Sequence, residues 1–154
     1  MSTDLSEREE DYLRGILEIL EQKGYARIRD IANKVDVSPP SAVEMMKKLA
    51  AKELVLYEKY GGVTLTQRGR EIAQAISERH DTFEKFLEII LVPREIAKMD
   101  AHILEHQLDP KTILQFTRFV EFIASASDHP RWIGRWRELF KGFCEAANER
   151  EQGH

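Results

Sequence analysis

One cysteine, Cys144, in a chain of 154 residues leaves no internal disulfide framework and no cysteine-rich zinc site. No apolar run approaches the roughly 20 residues that a bilayer-spanning helix needs, so no membrane partner is expected. The opening "MSTDLSEREEDYL" lacks the pattern of a secretory signal. With 42% hydrophobic and 32% charged residues, the balance is that of an ordinary soluble protein, here expected to be cytoplasmic and to form one or two small units with real cores. There are no internal repeats.

Positive charge is scarce overall, with a net charge of −4, which argues against nucleic acid until its placement is considered. Between Lys23 and Arg70 ten Lys and Arg stand against five Asp and Glu, a local +5 that leaves −9 for the rest. A basic segment inside an acidic chain is the pattern of a DNA-contacting module joined to something else.

The basic segment and the helix before it carry the clearest local order. Tyr12, Leu13, Ile16, Leu17, Ile19 and Leu20 recur at helical spacing over 7–22, with Ser6 and Glu9 in the capping-box positions and Gly24 as the stop. A short helix follows over 28–35, its inward side being Ile28, Ile31, Ala32 and Val35. Ser38 then caps a helix entered through Pro39 and Pro40, where missing N–H groups cost nothing, with Val43, Met46, Leu49 and Ala50 as its buried stripe. Two short helices around a tight Asp36–Ser38 turn make a helix-turn-helix. Val55 to Tyr57 and Val63 to Leu65 read as strands of a hairpin turned at Gly61–Gly62. Helices followed by a hairpin give the winged-helix order. Residues 66–90 read as one long helix, with Ile72, Ala75, Ile76, Phe83, Phe86 and Leu87 apolar. Further helices fit 93–108, 109–125 and 130–147, and "NEREQGH" reads as disordered. The apolar content of "ILQFTRFVEFIA" suits a subunit interface.

The fold expected is therefore mainly α: an N-terminal winged helix-turn-helix domain with a two-stranded wing, residues 1–70, and a helical domain, residues 71–150. At the start of the recognition helix, Ser38, Pro40, Ser41, Val43 and Glu44 would face a DNA groove. Pro40 and Val43 suit thymine methyls, and Glu44 can accept from cytosine N4. Lys47, Lys48, Lys59 and Tyr60 would serve the phosphates. Glu44 lowers affinity for DNA in general, which fits a regulated repressor better than a packing protein.

In "MDAHILEHQLDP", His102, Glu105 and His106 stand at i, i+3 and i+4 and share a helix face. The string His-x-x-Glu-His also occurs in inverzincin metalloproteases, where a zinc ion held by the two His is served by the Glu; the short remainder of the chain shows little sign of a catalytic scaffold. The bland reading is a polar helix face. Asp11 on the first helix and His80 on the long one, with Glu84 a turn on, extend the set. Asp11, His80, His102, Glu105 and His106 are a mixed nitrogen and oxygen group suited to Mn²⁺, Fe²⁺ or Zn²⁺. Trp132 and Trp136 sit one turn apart in "HPRWIGRWREL" and read as packing residues, with His129 as a further candidate ligand.

The succession "GYARIRDIA", "VSPPSAV", "YEKYGGVTLT", "RHDTFEKFL" and "EHQLD" resembles the metal-dependent repressors of the diphtheria toxin repressor family, above all the short manganese transport regulators. The resemblance covers about residues 10–115. It implies a winged helix, a helical dimerisation domain, a divalent-metal corepressor (Mn²⁺ or Fe²⁺, with Co²⁺ or Zn²⁺ able to substitute in vitro), and a homodimer on palindromic operator DNA. It also implies no SH3-like domain. By position, Asp11 matches the first-helix ligand, His80 the ligand on the long helix, and Glu105 and His106 the family's Glu-His pair; Glu84 matches a ligand of an ancillary site. His102, Arg14 and Lys98 depart from the family pattern. Imidazole and guanidinium in place of carboxylates favour one ion per protomer over two. The implied function is a metal-activated repressor of metal-uptake genes. Alternatives are a winged-helix regulator with another signal and, more remotely, a zinc hydrolase.

Overall fold

The computed structural model describes residues 4–125 and 130–153, with the backbone alone at 130, 132 and 133. Among these residues the elements are α1 (Glu7–Lys23), α2 (Ile28–Lys34), α3 (Pro39–Ala51), β1 (Val55–Glu58), β2 (Gly62–Leu65), α4 (Gln67–Ile89), α5 (Arg94–Gln107), α6 (Pro110–Ala124) and α7 (Pro130–Gln152). The chain divides into two compact units, Met1–Glu78 and Arg79–His154, and the division falls within α4. The mainly helical architecture with a single antiparallel hairpin is the one expected from the sequence.

In the first unit each helix is bounded by chemistry visible in the chain. Ser6 accepts from the Glu9 N–H while the Glu9 carboxylate accepts from the Ser6 N–H at 2.8 Å, closing the capping box of α1. Gly24, at φ +77°, ends the helix in the left-handed conformation. Between α2 and α3 that conformation falls to Asp36, φ +54°, a residue type that tolerates it. The Val37 N–H then closes onto Ala32 O at 2.9 Å, and Ser38 caps α3. This is the tight turn of the helix-turn-helix.

The hairpin pairs Val55 with Leu65 and Glu58 with Gly62. Val63 also donates to Ala26 O at 2.8 Å, so the wing is fastened to the segment after α1. Gly62 makes this possible: at φ +92°, a Cβ there would stand 2.8 Å from Ala26 O. The Thr66 hydroxyl donates to Glu53 O at 2.8 Å and accepts from the Gly69 N–H at 2.9 Å, which starts α4 and ties it to the α3–β1 junction. Tyr12, Leu13, Ile16, Ile31, Met46, Leu49 and Leu54 are buried in one cluster. One detail differs from expectation. The inward stripe of α3 is Ala42, Met46 and Leu49, while Val43 and Ala50 lie half-buried at its margins.

The second unit has a thinner centre. Phe83 and Leu87 of α4 pack on Ala97 and Ala101 of α5, small residues that admit the ring closely. Phe116 of α6 completes it, 5.3 Å from Phe83 and 4.5 Å from Phe86 between ring centroids. Helix α7 continues through Gln152, so the expected disorder of "NEREQGH" is corrected for 148–152. Glu, Arg and Gln are good helix formers, and Arg150 Nε donates to Ala146 O at 3.2 Å. Among the described residues no helix is long and apolar enough to cross a membrane.

Candidate metal centre and nucleic-acid interface

Helix α5 places His102, Glu105 and His106 on one face, as their spacing requires, and α4 brings His80 to the same place. Glu105 is buried, its side chain wholly so. Its Oε2 lies 3.0 Å from His80 Nδ1, and its Oε1 lies 3.2 Å from both His102 Nδ1 and His106 Nε2. His80 and His106 are largely buried, whereas His102 is about one-third exposed. Ligand atoms of His102, Glu105 and His106 lie within 4.8 Å of one another. Glu84 meets this group through His80, its Oε2 being 3.4 Å from His80 Nε2. His80 is thus held between two carboxylates, one on each ring nitrogen.

A buried carboxylate surrounded by imidazoles is a donor set of the kind that binds a divalent transition ion. Borderline nitrogen donors and one hard oxygen converge from two helices, and a carboxylate on the far nitrogen of His80 orients the ring. The residues present therefore fit such an ion. Asp11 belongs to the first unit, where it sits half-buried on α1 beside the buried Tyr12. On the same helix Arg14 Nε lies 3.9 Å from Glu18. Lys98 is exposed on α5. His129 and the side chain of Trp132 lie outside the described residues; Trp136 stacks on Phe140 at 5.7 Å.

Of the residues expected to face DNA, Ser38, Pro40, Ser41, Glu44, Lys47 and Lys48 are exposed, and Val43 is half-buried. Glu44 accepts from Lys47 Nζ at 3.2 Å. On the wing, Tyr60 is 93% exposed and Lys59 Nζ sits 5.6 Å from its ring centroid.

Two residues were missed by reading the sequence. Glu9 served there only as a capping residue, yet its side chain is 2% exposed and meets Lys52 Nζ at 2.8 Å and Lys48 Nζ at 3.5 Å. Burial pushes its carboxyl upward, but the Lys52 ammonium and the Ser6 groups outweigh this and hold it at about 2, against an ordinary 4.5. Lys48 on α3 and Lys52 at its C-cap stand one turn apart in the chain, but nothing local ties them to Glu9. Arg8 was the other. It lines, with Tyr12, a cleft whose opposite wall is Pro40, Ser41, Glu44 and Lys48.

A winged helix-turn-helix unit followed by a helical unit that gathers imidazoles and carboxylates defines a metal-responsive DNA-binding protein. Comparison with known proteins makes this particular. Residues 4–63 match the iron-dependent repressor N-terminal DNA-binding domain, and residues 66–131 match the iron-dependent repressor metal-binding and dimerisation domain. The chain belongs to the iron-dependent repressor family of metal-dependent transcriptional regulators, and is not an enzyme. It is 40% identical to the HTH-type transcriptional regulator MntR of Geobacillus kaustophilus (strain HTA426) over 113 residues, 73% of this chain and 80% of that protein. To MntR of Bacillus subtilis (strain 168) it is 39% identical over the same coverage. Among solved structures, the manganese regulator SloR superposes with a TM-score of 0.64 at 31% identity, covering 74% of this chain and 54% of SloR. A manganese-dependent transcriptional repressor in complex with manganese gives 0.67 at 30% identity, covering 74% and 53%. The chain thus spans about half the length of these solved regulators.

Proposed function

We propose that this protein is a homodimeric, cytoplasmic repressor of metal-uptake genes, activated by Mn²⁺ or Fe²⁺ and acting on a palindromic operator. The observation that carries this reading is the buried Glu105 carboxylate among three imidazoles, inside a chain whose other unit is a winged helix. The bound ion supplies a positive centre that a carboxylate and several nitrogen lone pairs can share.

His80, His102, Glu105 and His106 are the ligands from the helical domain, residues 71–150, and Asp11 is the ligand from the winged-helix domain, residues 1–70. Glu84 keeps the far nitrogen of His80 as the donor, so that Nδ1 offers its lone pair to the centre. Asp11 ties α1 to that centre, and α1 packs on the recognition helix through the shared core. Ordering of the two recognition helices in the dimer is thereby linked to metal binding, and the linkage is reciprocal. Arg14, in place of a second first-helix carboxylate, supports one ion per protomer.

Ser38, Pro40, Ser41, Val43 and Glu44 read base edges, while Lys47, Lys48, Lys59 and Tyr60 hold the backbone. A second copy covers the apolar side chains left outside the helical unit, among them Met99 and Ile103 of α5 and Phe122 of α6, which are 67%, 59% and 51% exposed. The test is fluorescence anisotropy of the purified protein on DNA upstream of its own gene. Mn²⁺, Fe²⁺ (anaerobically), Co²⁺ and Zn²⁺ are added in turn, followed by chelator. Binding appears with Mn²⁺ or Fe²⁺, vanishes on chelation and is lost in His106→Ala. Binding indifferent to every ion would overturn the reading in favour of a winged-helix regulator of another signal.

A further inference from the structure

The two lysines of α3 nearest the groove-facing residues are both engaged by acids. Lys47 is held by Glu44 on its own helix, at 3.2 Å between well-exposed side chains. Lys48 is held from another helix. Its Nζ lies 3.5 Å from Glu9 Oε1, and the same oxygen takes Lys52 Nζ at 2.8 Å. The two contacts are unequal. Lys52 is the more covered, 35% exposed against 57%, and its Nζ also donates to Asp4 O at 3.4 Å. Glu9 itself is fixed by the capping box and cannot follow a departing lysine. Lys52 is therefore the resident counter-ion of the buried carboxylate. Lys48 is the second cation, long in its contact and open to solvent, one turn from Glu44 along the wall of the cleft that Arg8 faces.

We propose that Glu9 is a specificity-determining residue: its buried carboxylate holds Lys48 back from the phosphates of non-operator DNA and releases it only where the operator fits the recognition helix. The inference rests on α3 being the DNA-facing helix, as proposed above. Non-specific binding is counted in phosphate contacts, each adding about 0.9 to the slope of log K against log salt, so holding back one lysine per protomer is a measurable restraint. On the operator, base-edge contacts fix the helix against the backbone and a phosphate replaces Glu9 as the partner of Lys48.

The experiment uses the full-length protein with saturating Mn²⁺, titrated onto operator and scrambled duplexes over a series of KCl concentrations. In Glu9→Gln, which keeps the shape and much of the cap, binding to the scrambled duplex tightens severalfold. Its salt slope steepens by about one per protomer engaged, and the operator-to-scrambled ratio falls. Lys48→Met, a change at an exposed position, weakens operator binding more than scrambled binding and makes the operator slope shallower by about the same amount. The double variant returns scrambled binding to the level of Lys48→Met. Unchanged slopes in Glu9→Gln, or equal losses on both duplexes, would reduce Glu9 to a packing residue. A Lys48→Met variant with an unaltered operator slope would instead overturn the assignment of α3 as the DNA-facing helix.

Discussion

Two carboxylates, Glu9 and Glu105, are buried to nearly the same extent, 1% and 2% exposed, and the two units treat them differently. Glu9 is answered by ammonium groups, which donate and offer a metal no lone pair, and by the cap of its own helix. Glu105 is answered by imidazoles, which present lone pairs as readily as protons. The cores differ in the same direction. The first unit buries Leu13, Ile16, Ile31 and Leu49 completely, while among the described residues the second buries Phe83, Leu87, Ala97 and Ala101 in its cluster and Val120 and Ile123 on α6, and leaves Met99, Ile103, Leu139 and Phe143 largely exposed. The lesson is that one unit is finished by its own side chains, whereas the other, on the function proposed above, is finished by an ion and a second copy.

The sharpest way to break this contrast is to hollow out each core. Leu13→Ala should cost about 2–5 kcal/mol and Phe83→Ala about 3–5 kcal/mol, the ranges for such changes at fully buried sites. They should differ in concentration dependence. Chemical denaturation followed at several protein concentrations should shift the transition of the second unit, because dimer association contributes to it, and leave that of the first unit in place. Equal behaviour of the two transitions would erase the distinction.

Acid separates the two carboxylates next. The folded carboxyl of Glu9, at about 2, lies below its ordinary 4.5, so the unfolded chain takes up the proton first. Its contribution is fully present above pH 4.5 and is lost as pH falls toward 2, about 3 kcal/mol in all. In Glu9→Gln the acid limb of the stability–pH curve of the first unit should flatten by that amount, read by circular dichroism with urea as denaturant.

Metal probes the other carboxylate. At an ion concentration one hundred times its Kd, stability of the helical unit should rise by about 2.7 kcal/mol, seen as a higher Tm. Glu105→Gln should remove the rise and leave the helical signal at low temperature unchanged. Glu9→Gln should keep it. A metal-induced rise that survives in Glu105→Gln would move the centre elsewhere.

Much of this was legible in the chain because the relevant signals are local. Ser6, Gly24, Ser38, Pro39 and Pro40 mark helix ends by local chemistry that needs no tertiary partner. The grouping of His102, Glu105 and His106 follows from helical spacing alone. The role of Glu9 was not legible, since Lys48 and Lys52 reach it across the fold from positions about forty residues away. Nor was the inward turn of Ala42 in place of Val43. The two neighbours differ by one helical step, and the packing of α3 against α2 and β1 decides which is covered. The far end of α7 misled for the opposite reason: its polar residues look solvated, as they are, but solvated Glu, Arg and Gln continue a helix readily.

The smallest effect sharpens the comparison by removing burial from it. Lys34 Nζ and Glu18 Oε2 pair at 2.6 Å between α2 and α1, a shorter contact than any that Glu9 makes with its lysines. Both side chains are about one-third exposed, at 39% and 34%. Water and salt screen such a pair, and ordering two long side chains offsets most of the attraction, so distance alone misleads. Lys34→Met should cost less than 1 kcal/mol at low ionic strength and still less in 1 M KCl, whereas the contribution of Glu9 should survive the salt because its carboxylate is out of water. A Lys34→Met loss as large and as salt-resistant as that of Glu9→Gln would mean that the length of an ion pair, and not its burial, governs the stability of the winged helix.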